Sequence, residues 1–199
     1  MMLTETTPIA EGSLPVAQFR DHLRLGSGFS DDDVQTPLLA AHLRAAIAAI
    51  EARTGKVLIE REFAARTATW REARRQPLPV APVGAITEVV LLDRAGGETP
   101  VPEGWHLLPD AHCPSLQADS GTALPSIPTD GAARVGFLAG FGPEWEDLPA
   151  DLAQAVMMLA AHYYTYRMDA PGQGAPLPLG VSALLERFRA MRIFLGARA

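Results

Sequence analysis

Only one cysteine, Cys113, occurs in 199 residues, so no internal disulfide framework can form, and this usage fits a reducing compartment. No apolar run is long enough to cross a bilayer. The opening Met1, Met2, Leu3, Thr4 and Glu5 lack the charged-then-apolar order of a signal peptide. A soluble intracellular product with no membrane partner is expected. A basic excess is missing too: the formal net charge is −6, whereas chains that grip nucleic acid more often carry a positive surplus. The length suits one domain, or one core with an insertion, that needs neither disulfides nor metals to bury itself.

What charge there is lies unevenly. Residues 1–35 carry six acids against two bases, and residues 36–75 carry eight bases against four acids. Residues 76–180 hold twelve acids against three bases, and residues 181–199 hold four arginines against Glu186. Blocks of opposite sign suit head-to-tail contact between copies or docking on a charged partner, and equally suit ordinary solvated faces.

The most informative segment is the helix expected over 149–167. Leu152, Val156, Leu159, Tyr163 and Tyr166 form a seam of helical period. Its flanks are apolar as well, with Ala155, Met157, Met158, Ala160 and Ala161, and a helix apolar on nearly every side must be covered on nearly every side. Residues 1–12 show no periodicity and read as a flexible tail. Ser13 is placed to cap a short helix that runs through Phe19 and Leu23 and breaks at Gly26. Asp31, Asp32 and Asp33 put negative charge at the N-terminus of the next helix, and they lack the alternate-residue spacing of a calcium loop. That helix runs to about Thr54 with Leu39, Leu43, Ala46, Ile47 and Ile50 as its stripe, and Gly55 stops it.

From Lys56 the period changes. Residues 57–63, 68–70, 86–92 and 134–139 read as strand, and 104–108 as the return of a hairpin turning at 93–97. Residues 109–131, rich in Pro, Ser, Gly, Asp and Thr, form an irregular loop. The last helix, 181–195, buries Val181, Leu184, Leu185, Phe188, Met191 and Leu195. The fold class expected is α+β, a bundle of about four helices with an inserted antiparallel β segment. In a single domain over 1–199, the N-terminal helices take 13–55 and the β insertion 56–142. The central helix takes 147–170 and the C-terminal helix 180–199.

Chemistry is sparse. His112 and Cys113 are adjacent on the irregular stretch, with His106 six residues before His112, but a cysteine nucleophile needs a base held beside it and a third group to orient that base. The same three residues lack the close paired spacing and fourth ligand of a zinc site. His42 and His162 suit packed positions, and His22 has no evident partner. Gly140 and Gly142 follow a strand, yet Pro143 breaks the phosphate-loop pattern. Glu144, Glu146, Asp147 and Asp151 complement a helix dipole. Arg187, Arg189, Arg192 and Arg198 make the C-terminus basic, which is favourable there in itself and could also meet phosphates. No catalytic residue, cofactor or metal is assigned.

Four segments, in order, resemble the head–tail connector (adaptor) proteins of long-tailed phages and phage-derived gene transfer agents. They are 14–24 (LPVAQFRDHLR), 46–58 (AIAAIEARTGKVL), 135–142 (VGFLAGFG) leading into 148–156 (LPADLAQAV), and 179–185 (LGVSALL) before an arginine-rich end. The loop at 109–131 matches least. The resemblance implies a structural virion protein, not an enzyme. It would form a homo-oligomeric ring of twelve copies beneath the portal protein at one capsid vertex and join a tail-side stopper or completion protein, with DNA passing through its centre. It also implies that the C-terminal helix region meets the portal, which makes Leu184, Arg187, Phe188, Arg189 and Arg192 the contact candidates. The competing reading is a small cytosolic enzyme or ligand-binding protein with its site near His106, His112 and Cys113. A third is another ring of the same neck, such as a stopper or tail terminator, in which more strand is expected.

Overall fold

The computed structural model describes residues 1–25, 32–166 and 177–189. Four helices, α1 (Val16–His22), α2 (Asp32–Thr54), α3 (Ala150–Thr165) and α4 (Leu179–Leu185), gather at one end of two antiparallel sheets. The larger sheet has the order β1-β2-β8-β4-β5, from Met2–Glu5, Arg61–Thr67, Ala132–Ala139, Val83–Leu92 and Glu98–Pro100. The smaller has the order β3-β7-β6, from Arg75–Pro77, Ser115–Ala118 and Trp105–Leu108. The class is α+β, with strand making up more of the chain than an inserted segment would.

α3 answers the question its composition raises. Leu152, Ala155, Val156, Met157, Leu159 and Ala160 are buried, and α3 packs on α2, α4 and α1. The stripe of α2, from Leu39 to Ile50, fills the same cluster together with Phe19, Val181 and Leu185. α2 ends because Gly55 takes φ +68°, a left-handed value that costs a glycine little, and donates its N–H to the Glu51 carbonyl.

The sheets share a second cluster. On β2, Arg61, Phe63, Ala65 and Thr67 point inward and alternate with less buried neighbours, the period of a half-buried strand. Phe63 stacks on Phe137 of β8 with centroids 5.9 Å apart, and Leu116 and Ala118 of the smaller sheet close over the same cluster. Outside, Arg134 ties three strands: its Nε donates to Glu88 and its two terminal nitrogens to Glu98 at 2.7 and 2.9 Å. The layers meet where β8 ends. Gly140 has φ +144°, and a Cβ there would fall on the backbone of Glu60, so only glycine lets these strands come so close.

Several expectations need correcting. Residues 1–12 are not a loose tail: Met2–Glu5 pairs with β2, and Glu11–Ser13 makes a 3-10 turn. The N-cap of α1 is Pro15, so Ser13 does not cap it. The return strand of the 93–97 hairpin is β5, whereas residues 105–108 join β7 in the other sheet. The irregular loop at 109–131 therefore contains a strand, β7. The stretch 57–63 becomes regular strand only at Arg61, and 68–70 is a bend. A 3-10 turn, Trp145–Asp147, precedes the central helix, which starts at Ala150. The C-terminal helix, within the described residues, is α4 followed by a 3-10 turn at Glu186–Phe188. Asp31, Met191, Arg192, Leu195 and Arg198 lie outside the described residues.

Candidate functional site

The histidines near Cys113 are engaged elsewhere. His106 Nδ1 lies 2.8 Å from Asp119 Oδ1 across the β6–β7 hairpin, both side chains half exposed. His112 Nδ1 lies 3.1 Å from Lys56 Nζ, and the lysine can only donate, so this imidazole nitrogen accepts. Lys56, the chain's single lysine, is buried and also donates to the Ala111 carbonyl. Burial pushes its ammonium below the ordinary range, while Asp110 and Cys113 pull it back up. Lys56 thus fastens the 109–114 loop to the end of α2. Cys113 is exposed, and among the described residues no histidine nitrogen bonds to its thiol. Among the described residues, no group of three His, Cys, Asp or Glu side chains could hold a metal ion. Nor is any helix there long and apolar enough to cross a membrane.

Asp110 closes this loop on itself. Its Oδ1 accepts the backbone N–H of His112 and of Cys113, each at 2.7 Å. Those two bonds hold its carboxyl below the ordinary value of 3.8. The stabilisation is complete above that value and is lost as pH falls through the lower folded-state value. We expect the stability of wild type to fall more steeply than that of Asp110→Asn below about pH 4, with parallel curves above. Denaturant titrations across pH measure this, and parallel curves throughout would refute it.

The C-terminal candidates turn back on the bundle. Leu184 and Phe188 are half buried against the helical cluster, and Phe188 meets Phe141 edge to face at 6.5 Å. Arg187 lies over the Phe188 ring, 4.6 Å from its centroid, and reaches Asp151 at 3.0 Å. Arg189 pairs with Glu186 at 3.0 Å. The structure thus brings Arg187, Phe188 and Asp151 together, while Arg192 lies outside the described residues. Asp151 therefore ties down the C-terminal segment as well as complementing the α3 dipole.

Two charged surfaces take shape only in the fold. The β2–β3 turn carries Arg71 and Arg74, both exposed, with Arg66 and Arg75 at its edges. Glu144 and Glu146 line a groove with residues 12–18. The arginine spacing shows in the sequence, but neither the groove nor its position relative to the turn does.

A solved structure of the neck of an empty gene transfer agent particle, computed with C6 symmetry, superposes on this chain with TM-score 0.89 and 50% identity. The match covers 98% of this chain and 99% of that one. The chain belongs to the head–tail connector family of neck proteins. A native-particle neck computed with C12 symmetry matches at TM-score 0.83 and 47% identity, with the same coverage of both chains. The virion of a native gene transfer agent particle matches at TM-score 0.85 and 50% identity, again over 98% and 99%. No family model and no curated protein matches the chain. The role is structural, in the neck of the virion, and this sets aside an enzyme at His106 and Cys113.

Proposed function

We propose that this neck protein forms a closed ring of twelve copies, consistent with the C12 symmetry of one neighbouring neck. The ring joins the capsid portal to the tail-side completion proteins and lets DNA pass through its centre. The observation that carries the reading is near-complete coverage at 50% identity by a protein of a particle neck. The net charge of −6 supports passage in preference to grip, because a wall that neutralised many phosphates would hold the duplex. The C-terminal region is the portal-facing part. Arg187 and Arg189 are exposed there, Leu184 and Phe188 pack on the bundle beside them, and Arg192 belongs to the same proposed contact.

Mixing the purified chain with its portal and imaging the product tests the proposal. A ring seated on the portal is expected. Bare portals at concentrations well above micromolar would sink the reading.

A further inference from the structure

The charge blocks of the sequence condense, in the fold, into two poles. β2 starts at Arg61, beside β8 where that strand ends at Ala139, and finishes at Thr67, beside Ala133. Its first end adjoins the 140–147 segment, since Glu60 donates its N–H to the Gly142 carbonyl. Its last end runs into the arginine turn. Seven residues of strand therefore separate the poles by roughly 20 Å.

Both poles are held in shape. In the basic turn, Trp70 Nε1 donates to the Pro125 carbonyl at 2.7 Å, and Arg71 N–H donates to Gln76 Oε1 at 2.9 Å. The carbonyls of Ala73 and Arg74 accept from Leu124 and Ala118. The Arg74 side chain reaches only the neutral carbonyl of Asp119, at 3.2 Å, and among the described residues no carboxylate pairs with Arg71 or Arg74. At the other pole Glu144 and Asp147 cap each other's turn, each taking a backbone N–H of the other, while Trp145 is buried beneath them. Glu146 accepts from Gln18 at 3.2 Å. Glu144 and Glu146 edge a groove of about 190 Å³ floored by residues 12–18, and among the described residues no cation pairs with either glutamate. Glu72 lies in the same turn, which stays net positive, and because the backbone of both poles is fixed, their contact orders side chains but no loop.

We propose that the basic turn of one copy, through Arg71 and Arg74, docks in the Glu144–Glu146 groove of the next copy and forms the contact that closes the ring. This rests on the ring reading above and adds the surfaces. Cyclic symmetry requires a heterologous contact, two different surfaces on different sides of one subunit. Poles of opposite sign at opposite ends of β2 supply such a pair, and the neighbouring necks were computed with C6 and C12 symmetry.

The test uses particles assembled with variant chains. In a Cys113→Ser background, Arg74→Cys and Glu146→Cys in the same chain, treated with a short bis-maleimide, are expected to give a denaturing-gel ladder that climbs past dimer. Either cysteine alone gives no ladder. Dimers from a single cysteine would mean like surfaces meet, and would overturn the proposal. Rings visible on the particles without a ladder would overturn the contact and leave the ring intact, whereas particles without any ring would remove both. Separately, Arg71→Glu with Arg74→Glu is expected to lower the copies of the chain per particle on the order of tenfold, because like charges then face each other. Adding Glu144→Arg and Glu146→Arg to the same chain restores them. An unchanged copy number in the first variant, with an unchanged melt, counts against the contact.

Discussion

Phe137→Ala lowers the stability of the chain by about 3–5 kcal/mol, the cost of removing a large aromatic from a packed core. Phe137 is fully buried on β8, the strand paired on both sides by β2 and β4. Its ring stacks on Phe63 with an interplanar angle of 18°, and the smaller sheet covers both, so collapse around the void would need two sheets to shift. At this chain size, each kcal/mol moves the thermal midpoint by about 2–4 °C, so a drop of roughly 10 °C is expected by calorimetry. Leu179→Ala is the control: Leu179 is 90% exposed, and a change within about 0.5 kcal/mol is expected there. A loss below about 1 kcal/mol for Phe137→Ala would show that the sheets do not close on each other as described.

The helical half was the more legible because its signal is local. The seam through Leu152, Val156 and Leu159 and the stripe through Leu39, Leu43 and Ile50 state their period within a few turns, and Gly55 punctuates the second. The sheet half hid for three physical reasons. All four residues of β1 are exposed, so no alternation betrays an edge strand held by backbone bonds. β7 is four residues long and sits in a stretch rich in turn formers. And the pairing of residues 105–108 with β7 instead of β4 depends on the packing of two sheets, which no window of sequence contains. The assembly surfaces follow the same logic. The arginines at 71, 74 and 75 are plain in the sequence, but that no carboxylate among the described residues pairs with Arg71 or Arg74 is a property of the fold. The C-terminal arginines show the converse: the sequence offers Arg187 as a contact candidate with no sign of a partner within the chain, and the fold pairs it with Asp151, thirty-six residues earlier.

Arg61→Ala is the second large effect, with an expected loss of about 3–5 kcal/mol, because it strands a carboxylate that is mostly buried. The Arg61 side chain is 6% exposed, its Nη2 lies 2.7 Å from Glu51 Oε2, and its Nε lies 3.0 Å from Glu5 Oε1. It therefore joins β1, β2 and the last turns of α2, and it lies 5.0 Å over the Phe63 ring of the sheet cluster. Glu51, only 14% exposed, also accepts the N–H of Leu58 at 2.8 Å, so without its cation it cannot turn out to water unless that bond breaks. Glu5 is 43% exposed, and Glu5→Gln should cost no more than about 1 kcal/mol. The double variant Arg61→Met with Glu51→Met loses less than the sum of Arg61→Met and Glu51→Met, because neither charge is then left alone, although the Leu58 N–H loses its acceptor. A double-mutant cycle by denaturant titration decides it. If the double loses as much as the sum of its singles, the two side chains are not coupled. Hydrogen exchange adds a local readout: β1, held to the body by β2 and by Glu5, should exchange faster in Arg61→Ala by more than the global loss accounts for, because one of its two attachments is gone.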